Sequence, residues 1–244
     1  MNTDFSEHSN FVVTVLGILR SYEKETFNLI LKENPSLREK LGEEWVDKFQ
    51  LKTVLVSDTF IIYPELKCES LVQFEVTLQV ISILISMLYR YILEEWGVFL
   101  RGVITYGEYG TIAEYPLIYG KGLIEAYYFE KMQDWSGIIL IPSICKVIEK
   151  SLLLKYDYIP YKDLPLKNNE YAKEYLSECE KASMDPYVLN WVKYTVSDEQ
   201  IINEEFWSKV IQKIKNTLQR SEKKAASDKI INTKKFYDYV RNQE

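Results

Sequence analysis

The stretch that organises the chain is a candidate β-hairpin, which reads Lys52-Thr53-Val54-Leu55-Val56-Ser57-Asp58-Thr59-Phe60-Ile61-Ile62-Tyr63. Its two apolar runs, residues 54–56 and 60–63, are rich in β-branched and aromatic residues, and each is typical of a buried strand. The polar residues between them predict a tight turn, because Ser and Asp side chains bond their own backbone there. Asp58 would then project from a rigid scaffold, where a divalent cation finds carboxylate ligands. A turn-forming Asp with no other role fits the same pattern.

Length and composition predict one large domain, or one domain with an appendage. The 244 residues are 47% hydrophobic and 27% charged, which is typical of a globular protein with a core. The three cysteines lack paired or metal-binding spacing, and no signal-peptide pattern is present, so we expect reduced thiols in a cytoplasmic protein. The single histidine, His8, disfavours His-based triads and His-ligated zinc. The apolar run 76–93 includes five polar residues, so it predicts a buried helix and no membrane span.

Charge is distributed unevenly along the chain. The net charge is −6, but residues 209–244 hold ten Lys or Arg and four Asp or Glu, so residues 1–208 carry −12. A basic end on an acidic body predicts contact with that body or with a partner. Nucleic acid is not the expected partner, because the acidic body would repel phosphate.

The predicted element order is β-α-α-β-β-α-β-β-α-β-α-β, an α+β layout with one mixed sheet and helices mainly on one face. The predicted strands are residues 11–16, the hairpin, 99–106 with 110–115 as its return, 137–141 and 152–158. The predicted helices include 36–49, 70–96 and 119–135, the last opening on Gly120-Lys121-Gly122. Residues 164–185 are expected to be a surface excursion, and residues 187–192 an edge element. From Asn203 onward a one-sided stripe of Trp207, Ile211, Ile214 and Leu218 predicts a docked helix.

Four pieces of the sequence form a recognisable series. They are Thr14-Val15-Leu16-Gly17-Ile18, Ser57-Asp58, Leu100-Arg101-Gly102-Val103-Ile104-Thr105-Tyr106-Gly107-Glu108 and Tyr119-Gly120-Lys121-Gly122-Leu123-Ile124-Glu125-Ala126-Tyr127. In order and spacing they resemble class III nucleotidyl cyclases, with their strand Asp-Ile-x-Gly-Phe, hairpin Gly-Asp, strand Arg-x-Gly-Ile-x-x-Gly and helix start Gly-x-x-Val-Asn-x-Ala. The last two pieces are most similar to the bacterial branch that contains the pyrimidine cyclases of Pycsar anti-phage defence. The resemblance covers residues 11–192.

The resemblance implies a ferredoxin-like, palm-like domain over residues 1–195, followed by a C-terminal helical extension over 196–244. It also implies a head-to-tail homodimer whose site, between protomers, holds a nucleoside triphosphate with Mg²⁺ or Mn²⁺. Asp58 is the implied metal ligand. The implied nucleotide-binding residues are Thr14, Leu16, Gly17, Val54, Arg101 and Lys121.

The chain departs from the family pattern at its chemical positions. Thr14 stands where the first metal carboxylate is expected, and no Asp or Glu lies within residues 11–22. Ile124 and Tyr128 replace the family's Asn and Arg, and Val54 replaces its base-selecting Lys or Glu. Framework glycines persist. We therefore expect a nucleotide- or partner-binding homodimer with weak or lost catalysis, and assign no catalytic residue.

Two other functions stay open. An active cyclase would convert a nucleoside triphosphate to a 3′,5′-cyclic nucleotide, such as cCMP or cUMP in antiviral signalling, and would need Asp58 plus a second carboxylate. The other is an unrelated α+β binding module. Single residues also have two interpretations: Arg101 fits a phosphate contact or a surface ion pair, and Lys121 fits a phosphate contact or a solvated lysine. Glu108 fits a substitute metal ligand or an exposed carboxylate.

Overall fold

The computed structural model describes residues 3–56, 59–96, 98–112, 117–194, 204–217 and 220–243. The chain divides into two compact units, Met1–Leu88 and Tyr89–Glu244. This division follows compactness, whereas the boundary after residue 195 is the end of the domain that the resemblance implies. The fold is α+β, as predicted, and its largest described sheet is mixed. The described strands form three separate sheets, however, and not the single mixed sheet that the element order indicated.

The first unit contains four helices and the predicted hairpin among its described residues. The elements are α1 Thr3–Glu33, α2 Ser36–Leu41, α3 Glu43–Lys48, β1 Leu51–Val56, β2 Thr59–Pro64 and the first part of α4 Leu71–Trp96. The hairpin is confirmed: β1 and β2 are antiparallel, and Val56 lies opposite Thr59. Ser57 and Asp58, which connect the two strands, lie outside the described residues. The strands are mostly half-buried, and not buried as predicted.

Residues 11–16 are helical, so the predicted first strand is wrong. They belong to α1, in which Val15, Leu19, Phe27 and Ile30 are buried while Val13 is 67% exposed. Those buried positions follow the helical period, and the burial of one helix face overrides the β preference of Val and Thr. Thr14 and Leu16 therefore lie on a helix and not on a strand.

Side-chain contacts join the helices of the first unit to its hairpin. Phe27 of α1 stacks on Phe49, with ring centroids 4.3 Å apart, and both rings contact Trp45. The Glu23 carboxylate accepts a hydrogen bond from Leu51 N at 2.6 Å, at the start of β1. The predicted helix 36–49 is split at Gly42, whose positive φ of 85° ends α2 and begins α3.

The second unit is built on a four-stranded sheet. Its described elements are β3 Gly102–Ile104, β4 Tyr109–Ile112, β5 Leu117–Gly120, α5 Lys121–Met132, β6 Ile138–Leu140, α6 Pro142–Ile148, β7 Tyr158–Pro160, α7 Glu170–Lys181, β8 Tyr187–Leu189, a 3₁₀ turn Trp191–Tyr194, α8 Glu204–Thr217 and α9 Arg220–Arg241. The sheet order is β3-β6-β8-β7, with β3 parallel to β6 and the other pairs antiparallel. Helix α5 lies between the parallel strands in sequence and packs against β3.

Four sequence predictions in this unit are corrected by the backbone pairing. β4 pairs with β5 and not with the strand before it, which is limited to Gly102–Ile104. Residues 152–157 form turns, and the strand begins only at Tyr158. Residues 170–181 form α7, because Ala172, Tyr175 and Cys179 make one buried stripe on an otherwise polar segment. Finally, β8 is an interior strand and not an edge element.

The chain is helical from Glu204 to Thr217 and from Arg220 to Arg241, in agreement with the predicted extension. Trp207 is buried, as its stripe predicted, whereas the side chains of Ile214 and Leu218 lie outside the described residues. Phe236 of α9 is fully buried and packs edge-on against Trp135, with centroids 4.9 Å apart. These contacts make both helices part of the second unit.

Helix α4 is the one described helix that is long and apolar enough to cross a membrane, over Leu71–Leu93. Half of that window is buried within the fold. Its buried polar residues include Ser82, whose hydroxyl donates to Leu78 O at 2.6 Å. A core helix passes the same test of length and composition.

Candidate nucleotide site

The start of α5 lies against the segment that follows β3, and we call this close approach the glycine crossing: residues Thr105–Gly107 and Gly120–Gly122. Gly120 has a φ of +156°, and a Cβ there would collide with the carbonyl oxygen of Glu108. A Cβ on Gly122 would lie 2.9 Å from Thr105 Oγ1, which is closer than ordinary contact. A side chain at Gly120 would push the two backbones apart, and one at Gly122 would displace the Thr105 side chain.

The crossing leaves the first backbone N–H groups of α5 without a side-chain cap. The N-cap residue is Gly120, which has no side chain that could accept a hydrogen bond from the helix N–H groups. The first N–H groups of a helix have no partner within it, and together with the macrodipole they favour an anion such as phosphate. A phosphate contact at the start of α5 therefore stays a prediction that this geometry is compatible with.

Lys121 is the first residue of α5, and its side chain is 86% exposed. Its ammonium lies 3.4 Å from the carboxylate of Glu125, one turn later. A cation at a helix N-terminus opposes the macrodipole, at a cost of about 0.3–1 kcal/mol. Helix stability therefore does not explain a lysine here, whereas an anion at the N-terminus would be held by both the lysine and the N–H groups.

Arg101 contacts the C-terminal half of α5 and not its N-terminus, where Lys121 lies. It forms an ion pair with Glu130, in the C-terminal half of α5, and Gln133 donates to the neighbouring Gly102 O at 2.9 Å. Glu130 is nine residues after Lys121, or about 14 Å along the helix axis. Within the described residues, Nη1 of Arg101 is buried and has no hydrogen-bond partner. The ion-pair interpretation of Arg101 is thus the one that the geometry favours.

The basic C-terminal helix approaches the same end of α5. Burial lowers the pKa of Lys229, and the positive charges of Arg101 and Lys167 lower it further. Asn232 donates to Asp134 O, and Ser136 N donates to Thr233 Oγ1, both at 2.9 Å. The basic end of the chain therefore contacts its own body, which is one of the two alternatives that the charge distribution predicted.

The remaining predicted site residues lie in the first unit or outside the described residues. Thr14, Leu16 and Gly17 are on α1, and Gly17 is exposed. Val54 is in the middle of β1, opposite Ile61. Asp58 lies outside the described residues. No group of three or more His, Cys, Asp and Glu residues in the described ranges is arranged to hold a metal ion.

Ile124 and Tyr128, which replace chemical groups of the family pattern, are surface residues. Their exposed fractions are 58% and 39%. Tyr128 stacks on Tyr171 of α7, with centroids 4.7 Å apart, and also contacts Tyr127 edge-on. Neither residue can supply the charge that a phosphate-stabilising Arg would bring.

Two buried polar features were missed by sequence reasoning. The Asp157 side chain is 2% exposed, and Lys193 lies 3.1 Å from its Oδ1. Burial raises the pKa of the Cys145 thiol to about 12 and that of Cys179 to about 11. These thiols are protonated at neutral pH and cannot act as nucleophiles there. No local sequence pattern indicates either feature, since the partners come from distant elements.

The chain matches no family model, no curated protein and no solved structure. The chemistry available to the site thus follows from its own residues. The start of α5 offers backbone N–H groups and one flexible cation, which are the chemical groups that bind anions in proteins.

Proposed function

We propose that this protein is a nucleotide-binding domain of the nucleotidyl cyclase type that acts as a homodimer with weak or lost catalysis. The triphosphate would bind at the N-terminus of α5, where Lys121 adds a cation to N–H groups that have no side-chain cap. A ferredoxin-like arrangement is part of the proposal, and the parallel pair β3–β6 linked through α5 is the βαβ element that it requires.

The observation that carries the proposal is the glycine crossing. The pieces that resemble the cyclase strand and the cyclase helix start meet there at backbone distance, because the β4–β5 hairpin brings Gly107 beside Gly122. Glycine allows a backbone to come close to a ligand or to another backbone. This supports a role for both pieces in one site.

Three residues at the positions of the family's catalytic groups support the loss of catalysis, because Thr14, Ile124 and Tyr128 are uncharged. Two-metal phosphoryl transfer needs carboxylates on a rigid scaffold, and the first such position is Thr14, on a helix. Ile124 and Tyr128 add no charge at the triphosphate. Mg²⁺ or Mn²⁺ would then arrive with the nucleotide and be bound mainly by its phosphates.

The test is equilibrium binding of ATP, GTP, CTP and UTP with Mg²⁺ or Mn²⁺, measured by calorimetry on the wild type, Lys121→Ala and Lys162→Ala. Lys162 is the matched control, because it is similarly exposed and also has one carboxylate neighbour. Loss of a phosphate contact worth about 1 kcal/mol weakens binding about fivefold in Lys121→Ala. Binding that is absent, or equally weakened in both variants, would contradict the proposal.

The same samples separate the proposal from an active cyclase. Incubation with each nucleoside triphosphate and Mn²⁺, followed by chromatography for 3′,5′-cyclic products, should show weak or no turnover. Robust formation of a cyclic nucleotide that disappears in Asp58→Ala would establish the enzyme instead.

A further inference from the structure

The hydrogen-bond alternation of the β1–β2 hairpin determines which backbone groups face its two outer edges. Leu51 lies opposite Pro64, and just before this pair Glu65 N donates to Gln50 O at 2.8 Å. Gln50 and Glu65 thus form a hydrogen-bonded pair. Antiparallel pairs alternate between hydrogen-bonded and non-hydrogen-bonded, so the pair Leu51–Pro64 is not hydrogen-bonded and the pair Lys52–Tyr63 is. The groups of residues 52, 54 and 56 therefore point into the hairpin, and those of 51, 53 and 55 point outward.

The same alternation turns Phe60 and Ile62 toward the outer edge of β2. Their N–H and C=O groups have no hydrogen-bond partner in the described part of the chain. The edge ends at Pro64, which has no N–H to offer. Residues 59–63 carry no charge, and charged side chains are a common device that keeps an open edge from pairing. This strand is thus an unprotected edge with two outward-facing residues.

The two edges of the hairpin are not equivalent. At the edge of β1, Leu51 N already donates to the Glu23 carboxylate, and burial raises the pKa of this carboxyl group. One end of that edge is therefore occupied by α1, and a strand added there would meet a carboxylate. At the edge of β2, the backbone groups of Phe60 and Ile62 have no such partner in the described part of the chain.

We propose that a second copy of this chain pairs with the outer edge of β2, antiparallel and about a two-fold axis. In this register Phe60 faces the partner's Ile62, Ile62 faces the partner's Phe60, and Ile61 lies beside its own symmetry mate. Phe60 and Ile62 of each copy then exchange hydrogen bonds with those of the other, so the backbone donors and acceptors of these two residues are all used. An uncharged edge is also complementary to itself, whereas a charged edge would repel its copy.

This pairing gives a closed dimer with a four-stranded sheet across the two copies. Two-stranded sheets are marginal in water, and three or more strands are more stable. The runs 54–56 and 60–63 are apolar on both faces, as strands inside a larger sheet are. Because Glu23 accepts a hydrogen bond from Leu51 N at one end of the β1 edge, a further strand added there would meet a carboxylate, which favours an assembly of two copies over a filament.

The test is a pair of proline variants studied by sedimentation velocity over a concentration series. Ile62→Pro removes an outward N–H at the proposed interface and leaves the hairpin hydrogen bonds intact. Thr53→Pro makes the same change at the opposite edge and is the matched control. We expect a dimeric wild type, an unchanged Thr53→Pro variant, and about thirtyfold weaker dimerisation of Ile62→Pro, because symmetry removes two hydrogen bonds at once.

A monomeric wild type overturns the proposal. It is also overturned if Thr53→Pro weakens dimerisation as much as Ile62→Pro does, or more. If Ile62→Pro does not fold, hydrogen exchange of the wild type decides. The Phe60 and Ile62 amides should be protected in the dimer and lose that protection on dilution, while the Thr53 amide should be unaffected; any other pattern contradicts the interface. This dimer surface rests on the homodimer of the proposed function. A nucleotide titration of the same samples tests the nucleotide site separately.

Discussion

Substitution of Gly120 by Ala tests the geometry of the glycine crossing. The φ of +156° and ψ of 161° at Gly120 lie in a region that is almost exclusive to glycine. An L-residue there costs about 1–3 kcal/mol in backbone strain. The new Cβ would also collide with the Glu108 carbonyl oxygen, and displacement of a backbone adds about 1–3 kcal/mol. We expect the free energy of unfolding to fall by about 3 kcal/mol.

Urea denaturation followed by circular dichroism measures this change. With a urea m-value of about 2–3 kcal/mol/M, the midpoint should move down by about 1–1.5 M. The control is Gly17→Ala, at an exposed glycine inside α1 with no atom within 4 Å of the added Cβ. Ala is favoured over Gly inside a helix, so this variant should gain about 0.5–1 kcal/mol.

The two glycine variants can each refute a part of the structure. A Gly120→Ala protein as stable as the wild type would mean that the two backbones do not approach each other as described. A destabilised Gly17→Ala protein would mean that residues around Thr14 are not helical, and would favour the strand that their composition predicted.

Two further predictions concern buried polar groups. Thr233→Val keeps the shape of a fully buried side chain but leaves Ser136 N without its acceptor, so the free energy of unfolding should fall by about 1–3 kcal/mol; an unchanged urea midpoint would refute this role of α9. The raised pKa values of Cys145 and Cys179 mean that the folded state keeps protons that the unfolded state loses above its ordinary thiol pKa of 9.0. Stability should therefore be unaffected by these thiols below pH 9 and should fall from there towards pH 11, less steeply in Cys145→Ala; an equal slope in that variant would contradict the assignment.

The elements that the sequence predicted well are those with strong local patterns. The hairpin was predictable because two β-rich runs flank a polar turn, and α5 because Gly120-Lys121-Gly122 opens it. Residues 11–16 were mispredicted because their composition favours a strand, while their burial follows a helical period that extends to Ile30. Local preference and long-range burial disagreed there, and burial prevailed.

The candidate site was predictable only in part, because its contacts join distant residues. Lys121 was identified from its place at a helix start, which is a local feature. The partner of Arg101 is Glu130, 29 residues later, and α9 brings Lys229 towards the same place. Helix α7 was missed because its three buried residues are separated by polar ones and are held by tertiary contacts, such as that of Tyr175 with Leu140 O at 2.9 Å.

The central claim, that a triphosphate binds at the N-terminus of α5, is tested most directly by nuclear magnetic resonance. Amide spectra of the labelled protein would be recorded during titration with a nucleoside triphosphate and Mg²⁺. The account predicts that the amides of Lys121, Gly122 and Leu123 shift most strongly and saturate together, because their N–H groups meet the phosphate. Saturable shifts that leave these three amides unchanged, or no shifts at millimolar nucleotide, would contradict it.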